Sequence, residues 1–140
     1  PGRSIVAEAG STIYTVGFMK QTLHKNYVFV NGGMSDNIRP ALYQAKYTVA
    51  AAERMNDAPQ KKYSIAGKCC ESGDLIAEDC MLPEMREGEL LAVFSTGAYN
   101  YSMSSNYNKN LIPPVVMVEN GTAYYAVKPQ TYDDIIRNDV

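Results

Sequence analysis

The stretch Val115-Val116-Met117-Val118-Glu119-Asn120-Gly121-Thr122-Ala123-Tyr124-Tyr125-Ala126-Val127 decides the fold class. Its β-branched and aromatic residues lie on either side of Asn-Gly, a dipeptide that tolerates the left-handed backbone of a tight hairpin turn. Val115 to Val118 and Ala123 to Val127 are therefore predicted to pair as antiparallel strands. Further runs of strand length lie upstream at Leu90–Phe94, Tyr63–Gly67, Tyr27–Val30 and Thr12–Val16. Tyr47 to Ala52 mixes β-branched and small residues and reads as a strand, and Asn31-Gly32-Gly33 ends the strand before it in a turn. The clearest helix signal lies at the tail. One short turn runs from Arg3 through Glu8 and breaks at Ala9-Gly10. The tail has Thr131 as cap, Asp133 and Asp134 in its first turn, and Tyr132, Ile135 and Ile136 on one face. Short strands separated by turns predict an antiparallel β-barrel or sandwich.

With 140 residues the chain makes one domain, 1–140. Its 46% hydrophobic and 20% charged residues suit a folded core rather than disorder. The net charge is −2 and the basic residues are scattered, so no stripe exists to neutralise phosphates and nucleic acid is excluded as a partner. No apolar stretch approaches the roughly 20 residues that span a bilayer, and no apolar signal segment opens the chain, so no membrane partner is expected. Cys69, Cys70 and Cys80 resemble neither a disulfide framework nor a Cys-x-x-Cys metal site. No metal is expected, and a reducing cytoplasm fits best. Pro1-Gly2-Arg3 opens on turn residues without an initiator methionine, which reads as a piece of a longer protein.

Chemistry concentrates at Cys70-Glu71-Ser72-Gly73-Asp74, where a strand ends and Ser-Gly bends the backbone. A carboxylate beside a thiol disfavours the thiolate, so Cys70 next to Glu71 suits a proton donor better than a nucleophile. The only histidine, His24, is remote in sequence and gives a cysteine hydrolase no local support. The plain alternative is that Cys70 is a small buried hydrophobe in a noncatalytic barrel.

Several segments, in their order and spacing, resemble the C-terminal domain of the diaminopimelate decarboxylases. They are Pro1-Gly2-Arg3-Ser4, Gly32-Gly33-Met34 with Arg39-Pro40-Ala41-Leu42-Tyr43, Gly67 through Asp74, and Gly97-Ala98-Tyr99 with Ser102-Met103. The Cys-Glu-Ser-Gly-Asp form looks like this branch rather than the related ornithine decarboxylases, where Asp usually follows Cys. Asn31 departs from the Asp common in the family, and the Glu that usually precedes Pro-Gly-Arg is missing.

The resemblance implies a mainly β fold: a Greek-key-like antiparallel β-barrel similar to the alanine racemase C-terminal domain, with a few short helices. It belongs to a two-domain homodimer with shared active sites, and the other domain is a (β/α)8 barrel. The implied reaction is decarboxylation of meso-2,6-diaminopimelate to L-lysine and carbon dioxide, with pyridoxal 5'-phosphate as cofactor. The alternative is a related decarboxylase of ornithine, arginine or carboxynorspermidine. By the same resemblance Cys70 is the proton donor, and Arg3, Arg39, Tyr43, Glu71 and Tyr99 meet the substrate. Pro1, Gly2, Arg3 and Tyr99 approach the cofactor. No lysine of this chain lies in a segment matching the Schiff-base motif, so the piece alone is expected to be inactive.

Overall fold

The computed structural model describes residues 1–140. Eight strands form: β1 (Thr12–Gln21), β2 (Asn26–Val30), β3 (Val49–Ala51), β4 (Lys61–Ala66), β5 (Leu75–Leu82), β6 (Leu90–Val93), β7 (Val115–Glu119) and β8 (Thr122–Val127). Four short helices join them: α1 (Arg3–Val6), α2 (Arg39–Tyr43), α3 (Asn100–Met103) and α4 (Tyr132–Ile136). The first six strands make one sheet in the order β3-β6-β1-β2-β4-β5, and its two edges, β3 and β5, approach each other. The result is a nearly closed barrel, as expected, with one refinement. Every neighbouring pair is antiparallel except β2 and β4, which run parallel.

Alternation builds the barrel interior. Along β1, Tyr14 and Val16 point inward and are buried while Ile13 stays exposed. They meet Val28, Val30, Ile65, Ile76, Leu82, Leu91 and Val93 in one core. The pairing of β1 with β2 shifts register between Val16 and Phe18, and beyond this bulge β1 continues to Gln21 with exposed side chains. Sequence reading stops this strand at Val16 because the inward-facing pattern stops there.

β5 is absent from the sequence reading. Glu78 and Asp79 interrupt its apolar run, and Asp79 takes a left-handed φ of 54° where the pairing with β4 is irregular. The hairpin of β7 and β8 forms a separate two-stranded sheet across Asn120-Gly121. At the tail the Thr131 side chain accepts from the Asp134 N–H while the Asp134 carboxylate accepts from the Thr131 N–H, which completes a capping box. No helix is long and apolar enough to cross a membrane.

Candidate active site

The turn after β2 closes on the buried carboxylate of Asp36. Asp36 accepts from the Gly33 N–H at 2.8 Å and from the Tyr14 hydroxyl. Burial, foremost, raises the Asp36 carboxyl above the ordinary carboxylate range, against the hydrogen bonds from Tyr14, Gly33 and Ser35. Burial and the Asp36 charge also push the Tyr14 hydroxyl well above its usual value, which keeps it a donor. Asn31, the departure from the family pattern, ties β2 back to β1. Its N–H donates to the Thr15 carbonyl at 3.1 Å, and its side-chain oxygen accepts from the Thr15 N–H at 2.9 Å. These bonds fix the start of the loop that leads into α2.

α2 begins with Arg39, has Pro40 in its first turn and ends at Gln44 in the left-handed region. The Arg39 guanidinium lies over two tyrosine rings, 5.1 Å from the centroid of Tyr43 and 5.6 Å from that of Tyr99. Its Nε is fully buried and has no partner. A solvated turn arginine would not be held in this way. Tyr99 itself sits at φ 69°, a conformation rare for a bulky side chain and most often retained where the surroundings enforce it. Asn100, buried behind it, holds the turn when its amide nitrogen faces the carbonyls of Thr96 (3.3 Å) and Ala98 (3.1 Å). The Gly97 N–H donates to the Ala7 carbonyl, and the Thr96 N–H to that of Gly10, each at 2.9 Å. These two bonds bring the Pro1–Arg3 end of the chain against Tyr99.

The structure thus gathers Gly2, Arg39, Tyr43 and Tyr99 into one cluster. Arg3 lies beside it and lines a cavity of about 380 Å³ with Ser4, Ile5, Ala7, Glu8 and Ser95. An added Cβ on Gly2 would overlap the Tyr99 hydroxyl, so the backbone there approaches the ring as only glycine allows. An unsatisfied guanidinium N–H, two tyrosines and a bare backbone segment fit an anionic ligand with an aromatic body. These features suit both a phosphorylated pyridoxal ring and a substrate carboxylate.

Cys70 and Glu71 occupy a different loop, and none of their hydrogen bonds reaches Arg39, Tyr43 or Tyr99. The loop leaves β4 at Gly67 and returns at Asp74, closed by the Gly67 N–H to the Asp74 carbonyl at 2.9 Å. Cys70 is exposed, which removes the buried-hydrophobe reading; the buried thiol is Cys69, whose pKa burial raises. The Cys70 N–H donates to Asn108 Oδ1 at 2.9 Å, so the 106–110 segment braces the loop from outside. Glu71 is exposed, and its carboxylate reaches only its own turn, at Ser72 Oγ (3.4 Å) and the Gly73 N–H (3.5 Å). Sequence reading did not find Asp36, Asn100 or Asn108, because a buried turn carboxylate and two loop amides look like ordinary turn residues.

A tyrosine held at positive φ, an arginine with a buried, unpartnered Nε and an exposed thiol mark the candidate site of a nearly closed β-barrel domain. The chain belongs to the pyridoxal-dependent decarboxylase, C-terminal sheet domain family, whose sequence model matches residues 5–97. It is 60% identical, over its whole length, to the diaminopimelate decarboxylase of Bacillus subtilis and covers 32% of that protein. To the diaminopimelate decarboxylase of Halalkalibacterium halodurans it is 52% identical over its whole length, again covering 32%. The crystal structure of diaminopimelate decarboxylase from M. jannaschii in co-complex with L-lysine superposes with a TM-score of 0.94 at 35% identity. That match covers 100% of this chain and 32% of the other. The chain spans about a third of the length of the curated relatives it matches.

Proposed function

We propose that this chain is the C-terminal barrel of a two-domain diaminopimelate decarboxylase that releases carbon dioxide from meso-diaminopimelate and leaves L-lysine. The observation that carries the reading is Arg39: a guanidinium with a buried, unpartnered Nε, stacked on Tyr43 and Tyr99, in a chain 60% identical to a diaminopimelate decarboxylase.

Bound pyridoxal 5'-phosphate supplies the electron sink for loss of the carboxylate. This chain does the rest of its part with its own side chains. Pro1, Gly2 and Arg3 offer backbone and charge to the cofactor phosphate, and Tyr99 touches both cofactor and substrate. Arg39, with Arg3 and Tyr43, grips the distal carboxylate, since a planar guanidinium holds a carboxylate through two parallel hydrogen bonds. Glu71 takes the distal ammonium. Cys70 returns a proton to the substrate carbon, a step that requires the thiol form. Cys70 and Glu71, none of whose hydrogen bonds reaches Arg39, Tyr43 or Tyr99, serve the pocket of a second copy in a homodimer. Three free cysteines suit the cytoplasm.

In the full-length enzyme, carbon dioxide release from meso-diaminopimelate should exceed that from ornithine, because an amine-ended substrate leaves Arg39 unpaired. Faster turnover of ornithine would overturn the substrate assignment. Cys70→Ala should lower kcat by about 10²- to 10⁴-fold, the usual worth of a positioned proton donor; unchanged turnover would remove Cys70 from the chemistry.

A further inference from the structure

Asp74 closes the Cys70 loop, yet its side chain serves two loops at once. The residue is 4% exposed and makes no salt bridge. Its Oδ1 accepts from the Met34 N–H at 2.6 Å and its Oδ2 from the Cys69 N–H at 2.7 Å. The Met34 N–H belongs to the loop leading into Arg39, and the Cys69 N–H immediately precedes Cys70. Beside them the Lys68 N–H donates to the Gly32 carbonyl at 2.9 Å. The two backbones close on the carboxylate from both sides, since a Cβ added to either Gly33 or Gly67 would overlap it.

A buried carboxylate without a cation is costly, and two backbone N–H groups offset that cost only while both point at it. Neither N–H takes part in a strand ladder. An ordinary polar turn residue would close the Gly67–Asp74 turn equally well, but only an acceptor with two oxygens satisfies both loops together. We propose that Asp74 is the positioning residue that sets the Cys70–Glu71 loop upon the Arg39 loop, acting through the Met34 and Cys69 N–H groups. This rests on the reading of Cys70 as the proton donor of a decarboxylase. It adds a residue that touches neither substrate nor cofactor and still governs where the donor stands.

The test uses the full-length, cofactor-loaded enzyme. Asp74→Asn presents an NH2 group to one of the two N–H groups, so it should release one loop while the barrel stays folded by circular dichroism. Its kcat on meso-diaminopimelate should fall about 10²-fold, the scale expected when a reacting group is misplaced by about 1 Å. Added to Cys70→Ala, the same change should alter kcat by less than about twofold, because no donor remains to misplace. A kcat within about twofold of the parent, or an equal loss in both backgrounds, overturns the proposal. Should Asp74→Asn not fold, amide hydrogen exchange in the unmodified enzyme decides. The Met34 and Cys69 N–H groups must exchange as slowly as those of β4; exchange as fast as exposed loop amides overturns the proposal. If the unmodified enzyme does not decarboxylate meso-diaminopimelate, the functional reading falls, and the exchange data alone judge Asp74.

Discussion

The barrel, antiparallel but for the β2–β4 pair, and the wholly antiparallel hairpin bury their side chains very differently. Ile65 on β4 and Leu91 on β6 are 0% exposed, while Val118 on β7 is 74% exposed and Tyr125 on β8 is 58% exposed. The hairpin therefore owes its shape to local turn chemistry and cross-strand pairs, whereas the barrel owes its shape to burial. An isolated two-stranded ribbon is marginal in water. Here it is tied to the rest of the molecule at its base, where Gln130 Oε1 accepts from Asn106 Nδ2 at 2.6 Å and from the Ile112 N–H at 2.9 Å. The same segment carries Asn108, which holds the Cys70 loop.

The largest expected contrast comes from truncating matched apolar residues. Leu91→Ala should destabilise the barrel by about 2–5 kcal/mol, the range for emptying a closed core. Val118→Ala should stay within about 0.5 kcal/mol, as for an exposed residue away from any special feature. Urea unfolding of the 140-residue chain measures both, and a Val118 effect of the size seen for Leu91 would show that the hairpin is a core element after all.

Tyr14→Phe probes the polar side of the barrel. Removing the hydroxyl takes a donor from buried Asp36, with an expected loss of about 1–3 kcal/mol at neutral pH. The hydrogen bond favours the ionised Asp36, so the loss should shrink as the pH falls and Asp36 takes up a proton. A loss that grows on acidification would contradict this assignment.

Hairpin geometry is tested by Gly121→Ala. Gly121 has φ +77° with open space around it, so the cost is backbone strain of about 1 kcal/mol rather than a clash. Cross-strand contacts between Met117 and Tyr124, which are register partners, should weaken in NMR spectra while amide protection in β1, β4 and β6 is unchanged. Loss of protection in the barrel as well would mean that the two regions unfold together.

What could be read from the sequence divides along the same line. Local signals gave the Asn120-Gly121 hairpin, the Thr131 cap and the inward-facing part of β1, because each is written in consecutive residues. β5 was hidden, since Glu78 and Asp79 face solvent in mid-strand and Asp79 adopts a backbone that residue type does not announce. The parallel pairing of β2 with β4 depends on contacts distant in sequence. Arg39, Tyr43 and Tyr99 were legible as motif residues, and their stacking was not. Asp36 meets the Tyr14 hydroxyl of β1 and Asp74 the Met34 N–H of another loop, and nothing in their neighbours in sequence reveals those distant partners.

The smallest effect separates the regions by acid titration. Asp134, at the exposed tail, has its pKa lowered, first by the Thr131 N–H and then by the Thr131 hydroxyl. Its capping contribution is therefore present above the ordinary aspartate range and is lost as the pH falls through the lowered folded value. Asp36, inside the barrel, is shifted the opposite way by burial, so stability linked to its neutral form is lost as the pH rises through its raised folded value. On acidification Asp36 must take up its proton first and Asp134 last. Carboxyl carbon shifts read the order directly, and the Thr131 amide shift should follow Asp134 alone. Protonation of Asp134 in the ordinary aspartate range, still after Asp36, would mean that the tail cap does not persist in solution, and protonation of Asp134 before Asp36 would mean that burial does not raise Asp36.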